Sequence, residues 1–135
     1  MAPIQHFSRP LGLRNLQLEV LWSGSIAANR SAVPNVMHFL LIYDLAPDYL
    51  ARRAQFRQEH LALAWGATDK SELVLGGAVE EPIDQAFLLF RGDSSETARR
   101  FAENDPYVKN GLVRQWRVKK WNTVVGEQAD SPVRP

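Results

Sequence analysis

Arg53, Arg57 and His60 stand at i, i+4 and i+7 in the run Arg53-Ala-Gln-Phe-Arg57-Gln-Glu-His60. On a helix this spacing projects all three side chains from one face. Two fixed cations beside the one side chain that titrates near neutrality make a patch that attracts anions and can move protons. The same pattern also describes a solvated basic helix face with an incidental histidine.

Further along, Asp105-Pro106-Tyr107 offers a second set of groups. Asp105 could orient a histidine and stabilise its charged form, or serve as the turn residue that ends a helix before Pro106. His60 lies about four turns into its helix, so it meets Asp105 only if the two helices bring them level. His60 itself is either a general acid or base or a helix histidine bonded to a backbone carbonyl. Arg53 and Arg57 could hold a carboxylate, phenolate or enolate through their forked donors. Alternatively they pair with Glu59, Asp48 or Glu103 as surface ion pairs worth under about 1 kcal/mol each. Gly76 and Gly77 let a ligand approach the backbone or mark a strand bulge. Tyr107 either donates a hydrogen bond into a pocket or packs half-buried. His6, His38 and His60 are scattered without paired spacing, so no metal site is expected. No glycine-rich phosphate loop leads from a strand into a helix, and no serine has an elbow context. A cofactor is therefore not expected either.

These groups must be positioned by elements that the pattern marks out from residue 37 onward. Met37 to Asp44 is a dense apolar strand. Pro47 suits a first helical position and Asp48 the first turn. The helix that follows carries Leu50, Ala54, Leu61 and Ala64 as its apolar positions and is expected to end near Gly66. Leu73 to Leu75 forms a second strand running into Gly76-Gly77. Glu81-Pro82 marks a turn, and Ala86 to Phe90 a third strand. Ser94 or Ser95 caps a short helix through Ala102, which Asp105-Pro106 closes. Val113 to Val125 is the last strand, and a disordered tail is expected over 126–135. The order β-α-β-β-α-β is that of an α+β, ferredoxin-like fold with both helices on one sheet face.

Phe39-Leu40-Leu41-Ile42-Tyr43 and Phe87-Leu88-Leu89-Phe90 are apolar on both faces of that sheet. A sheet with one wet face would alternate, and a small domain has no third layer to cover the second. Two-fold pairing of sheet faces, a homodimer, is the simplest remedy. Trp116 and Trp121, five positions apart, point to opposite sides, one to the core and one toward the dimer face.

Bulk composition fits this picture. At 135 residues the chain is one domain in length. It has no cysteine and a net charge of +1, which point to a reducing compartment, the cytoplasm, and give no reason to expect nucleic acid as partner. The expected basic-aromatic strand motif of an RNA-recognition sheet is also absent. The longest apolar run, Phe39 to Tyr43, falls far short of the roughly 20 residues of a membrane span. Residues 1–36 carry Arg9, Arg14 and Arg30 against Glu19 alone, with several Pro and Gly. They are read as a disordered extension ahead of a start at Met37, with a transit peptide for an organellar matrix or an ordered extra element as the alternatives.

Arg53-x3-Arg57-x2-His60-Leu61, Leu75-Gly76-Gly77, and Asp105-Pro106-Tyr107 with Gly111 beyond it resemble, in order and spacing, the YciI-like (YCII-related domain) family across residues 37–125. The resemblance implies a dimeric α+β barrel. It implies His60 and Asp105 as the His–Asp pair that serves the family as candidate active site. Beside that pair, the reading of the residues themselves expects a small anion as ligand, with Arg53, Arg57, Gly77 and Tyr107 at the binding site. One relative is a dehydrochlorinase of a chlorinated hydroxyquinol, and related barrels include cofactor-free isomerases and monooxygenases. Ala78 stands where the family often has proline, and residues 1–36 have no counterpart. The expected activity is cofactor-free elimination or isomerisation of a small aromatic or enolisable anion, and the alternative is a non-catalytic binding or accessory domain. If residues 1–36 are dispensable, a chain beginning at Met37 keeps its thermal midpoint and oligomeric state; a loss of more than a few degrees would show that the extension packs on the fold.

Overall fold

The structure, a computed structural model, describes residues 36–135. The extension read over residues 1–36 lies, except for Val36, outside them. Seven elements follow one another: β1 (Met37–Leu45), α1 (Tyr49–Asp69), β2 (Leu73–Ala78), β3 (Gln85–Gly92), α2 (Glu96–Asn104), α3 (Pro106–Lys109) and β4 (Val113–Trp121). The four strands form one antiparallel sheet in the order β2-β3-β1-β4. This is the split βαβ arrangement of a ferredoxin-like α+β fold. No helix among the described residues is long and apolar enough to cross a membrane.

Alternation along β1 sorts its side chains. Phe39, Leu41, Tyr43 and Leu45 enter the core beneath the helices, together with Ala86, Leu88 and Phe90 of β3. His38, Leu40, Ile42 and Asp44 take the opposite face, where Phe87 and Leu89 are half-buried and Trp121 is 48% exposed. Trp116 packs against the core, so the two β4 tryptophans do point to opposite sides.

The first helix departs from the expected apolar stripe. Leu50 and Leu61 are 52% and 39% exposed, while Tyr49 and Ala67 are buried and Phe56, Leu63 and Ala64 pack against the core. At about 100° per residue, Tyr49, His60 and Ala67 share one meridian of α1. Phe56 and Leu63 flank it on one side, Arg53, Ala64 and Arg57 on the other. Leu50, Ala54 and Leu61 lie farther round toward solvent. A stripe chosen by hydropathy alone is therefore rotated away from the true contact face, because that face includes a histidine and an arginine.

The helix also runs past Gly66 to Asp69. It stops where the Lys70 N–H donates to the Gly66 carbonyl and the Ser71 N–H to the Thr68 carbonyl, and Ser71 takes a φ of 62°, the left-handed turn more often given to glycine. At its start, Asp48 is the cap position and Pro47 precedes it.

The strand β4 stops at Trp121 rather than Val125. The chain then turns back on itself: Ser131 N–H donates to the Thr123 carbonyl at 3.1 Å and Val133 N–H to the Val124 carbonyl at 2.8 Å. Residues 126–135, expected as a disordered tail, thus carry backbone bonds to the strand end. Thr123 drives the turn, since its hydroxyl also accepts from Asp130 N–H at 2.9 Å.

These assignments give a stability test. Leu41, with no exposed surface, should cost about 2–5 kcal/mol on replacement by alanine. Leu50→Ala should change stability by less than about 0.5 kcal/mol. Urea unfolding of the two variants checks the rotation of α1; equal losses would restore the Leu50 stripe.

Candidate active site

At the junction of α2 and α3 the backbone of Asp105 is extended, with φ −73° and ψ 123°. Proline at the next position disfavours helical geometry there and starts the new helix with its missing N–H at no cost. The Asp105 side chain caps α3 by accepting from Tyr107 N–H at 3.0 Å. It has no exposed surface. A carboxylate buried in this way is costly unless its lone pairs are used.

Three donors use them. Besides the Tyr107 amide, the Tyr43 hydroxyl donates to Oδ2 at 2.7 Å. His60 Nδ1 lies 2.9 Å from Oδ1 and 3.0 Å from Oδ2. Burial, then the adjacent Asp105 charge and the hydrogen bond to it, raise the Tyr43 pKa far above its ordinary value. The hydroxyl therefore stays protonated as a donor. An acceptor carboxylate opposite Nδ1 assigns the proton of neutral His60 to that nitrogen and leaves Nε2 with its lone pair. The imidazole is held in plane by stacking on Tyr107, with centroids 3.9 Å apart and 11° between rings, and by the edge of Phe101 at 6.5 Å. His60 and Asp105 thus come level, which their separation along the chain left open.

His60 side-chain exposure is 15%, and it opens on a cavity of about 360 Å³ between α1 and the β2–β3 edge of the sheet. Tyr49, Trp65 and Tyr107 give this cavity aromatic walls, with Leu73 and Leu88 beneath. Arg53 and Arg57 line it as well. Neither forms an ion pair with a described residue; Asp48 instead lies 3.8 Å from Arg52. The Arg53 guanidinium sits 5.8 Å from the Tyr49 ring centroid, a cation–π contact. Burial and the neighbouring Tyr49 push the Tyr107 hydroxyl up to about 12, against the lowering pull of Arg57 and Arg53. That hydroxyl remains a neutral donor at physiological pH.

Gly77 also lines the cavity, and a Cβ there would meet nothing within 4 Å. At Gly76 a Cβ would come within 3.3 Å of Leu88 Cγ, so close strand packing concerns that glycine. A register shift between Leu73 and Leu75 bends β2 just before the pair. Of the six site residues singled out from the sequence, five line the cavity and Asp105 stands behind His60. Tyr43, Tyr49 and Trp65 were not singled out. Tyr43 left one signal: a phenol on the buried face of β1 needs a hydrogen-bond partner.

Comparison with known proteins bears on the same residues. The family model for the YCII-related domain matches residues 37–122. The chain belongs to the YCII-related domain family. No curated protein matches it. Among solved structures it is similar to the 5-chloro-2-hydroxyhydroquinone dehydrochlorinase TftG of Burkholderia phenoliruptrix AC1100, solved in complex with 2,5-dihydroxybenzoquinone. The identity is 26% and the TM-score 0.55, over 64% of this chain and 95% of that one. It also matches a NIPSNAP-like domain protein of Burkholderia xenovorans at 18% identity and TM-score 0.47, over 75% and 92% of the two chains. A nipsnap family protein of Agrobacterium tumefaciens str. C58 matches at 15% and 0.44, over 64% and 86%.

In this YCII-related domain the Tyr43–Asp105 bond can be tested without a substrate. Tyr43→Phe removes one of three donors to a buried carboxylate and should cost about 1–3 kcal/mol near neutral pH. The native chain holds the Tyr43 proton above its ordinary pKa of 10.0, where the unfolded chain releases it. This stabilisation is complete below pH 10 and is lost as pH rises beyond it. Urea unfolding between roughly pH 8 and 11 should show a shallower alkaline decline for Tyr43→Phe than for the parent chain. Parallel declines would place the Tyr43 hydroxyl in water.

Proposed function

We propose that this protein is a homodimeric, cofactor-free acid–base enzyme that eliminates from, or isomerises, a small aromatic or enolisable anion. One observation carries the reading. His60 has Nδ1 tied to a buried carboxylate, and its ring borders a cavity lined by two arginines that form no ion pair with a described residue. His60 Nε2 takes the acidic O–H or C–H proton of the bound substrate. The electron pair left behind forms a C=O or C=C bond. In an elimination it expels a leaving group such as chloride with the bonding pair; in an isomerisation His60 returns the proton to another carbon. Asp105 stabilises the imidazolium that forms in between. Arg57 and Arg53 hold the substrate oxyanion, and Tyr107 donates to it.

The similarity to a dehydrochlorinase of a chlorinated hydroxyhydroquinone supports an aromatic oxyanion as substrate. So do the aromatic walls, which suit a flat ring. The homodimer is supported by the second sheet face, where Leu40, Phe87 and Leu89 are only half-buried and Leu75 is 73% exposed.

The test uses 5-chloro-2-hydroxyhydroquinone for turnover, read as chloride release, and 2,5-dihydroxybenzoquinone for binding. His60→Ala should lower turnover by roughly 10²–10⁴-fold while binding persists. Arg57→Ala should mainly weaken binding, because its contact is made in ground and transition states alike. Arg57→Ala should melt close to the parent, while His60→Ala, which removes one of the three donors to Asp105, should cost no more than about 1–3 kcal/mol. Saturable binding without chloride release would favour a non-catalytic binding domain. If His60→Ala lost several kcal/mol of stability and nothing else, His60 would be a structural hydrogen-bonding residue.

A further inference from the structure

We infer that the C-terminal segment Thr123–Val133, outside the family-matched region, is an interface element that seats against a second copy of this chain. The inference rests on the sheet-face homodimer proposed above and adds to it which segment completes the contact.

The segment is anchored on the second sheet face. His38, only 5% exposed, brings Nδ1 within 2.6 Å of the Thr123 hydroxyl. The backbone bonds from Ser131 and Val133 fold the segment into a short return. It raises a wall at one end of the sheet face, and a groove of about 510 Å³ opens between it, His38, Leu89 and Trp121.

That wall presents apolar surface outward. Val125 is 84% exposed, Val133 68% and Val124 37%, beside Trp121 at 48%. They continue the half-buried patch of Leu40, Phe87 and Leu89. Scattered exposed apolar residues need no explanation, but a contiguous patch marks an interaction surface.

Charge identifies the occupant. The segment carries Glu127 and Asp130. On the sheet face, Arg91 stands opposite His38 in β3 and Lys119 opposite Leu40 in β4, both exposed. Neither is ion-paired with a described residue. One surface thus holds an acidic, valine-rich wall and a basic, leucine-rich floor. A two-fold axis sets each against the other's counterpart, the self-complementarity an isologous contact requires.

The experiment is sedimentation equilibrium of the full chain and four single variants. The parent should be a dimer at micromolar concentration, and Leu40→Asp on the sheet face should dissociate it. Val125→Asp and Glu127→Lys should each weaken the dimer by about tenfold or more, with melts of the monomer unchanged because both residues are exposed. Leu50→Asp, on exposed α1, should leave dissociation as in the parent. A parent dimer sensitive to Leu40→Asp but indifferent to both segment variants overturns the inference and leaves the sheet-face dimer standing. A monomeric parent overturns the dimer itself.

Discussion

A single carboxylate with no access to water organises this domain. Asp105 receives an amide from α3, a phenol from β1 and an imidazole from α1. Its charge therefore bonds to the sheet, the long helix and the chain's own next turn. Desolvating a carboxylate is expensive, and only this number of donors offsets it. Each donor is fixed in turn: Tyr43 by its place in the core, the Tyr107 amide by the short helix, and His60 by the rings of Tyr107 and Phe101. The orientation of the imidazole is consequently a property of the whole core.

The long helix works on two sides at once. Its meridian of Tyr49, His60 and Ala67 faces inward, and Phe56 and Leu63 complete the packing. Turning a little the other way, Arg53 and Arg57 overhang a cavity whose floor is the thin edge of β2. That edge is glycine at two successive positions, and the bend before it leaves Leu75 through Ala78 exposed. The cavity exists because the sheet is not covered there by side chains. Among the described residues neither cation has a carboxylate partner, and two like charges on one helix face repel each other. An anion bound between them, as proposed above, would offset that repulsion.

Much of the architecture is visible in the chain, because β1 and β3 are dense apolar runs and the elements are separated by Gly-Gly, Glu-Pro and Asp-Pro. The face of α1 is not visible, since hydropathy counts His60 and Arg53 as solvent-seeking while the fold directs them inward to a carboxylate and a cavity. The i, i+4, i+7 spacing of Arg53, Arg57 and His60 does carry over, being a matter of helix geometry alone. That Asp105 reaches His60 depends on how two helices far apart in sequence are set in height, which local pattern does not encode. Tyr43 hides in an apolar run because its ring belongs to the core and only its oxygen to the site. The fold-back after Trp121 rests on one hydroxyl, that of Thr123, which binds both His38 and Asp130.

The two halves of the site therefore differ in how far they can vary independently of the fold. Arg53 and Arg57 touch cavity space, so exchanging them alters what can enter while the core remains packed; His60 faces the cavity too, but its Nδ1 is bonded to Asp105. Asp105 and Tyr43 cannot be exchanged on those terms. Removing either leaves an unmatched buried group at a point where sheet and helices meet. Loss of activity on altering Asp105 would mix chemistry with collapse, whereas loss on altering Arg57 would report on the cavity, and His60 needs its melt measured beside its turnover. If His60 does the chemistry proposed, a fold that anchors the imidazole from behind in this way can change its substrate by changing the wall of arginines, glycines and aromatic rings, without disturbing the carboxylate beneath it.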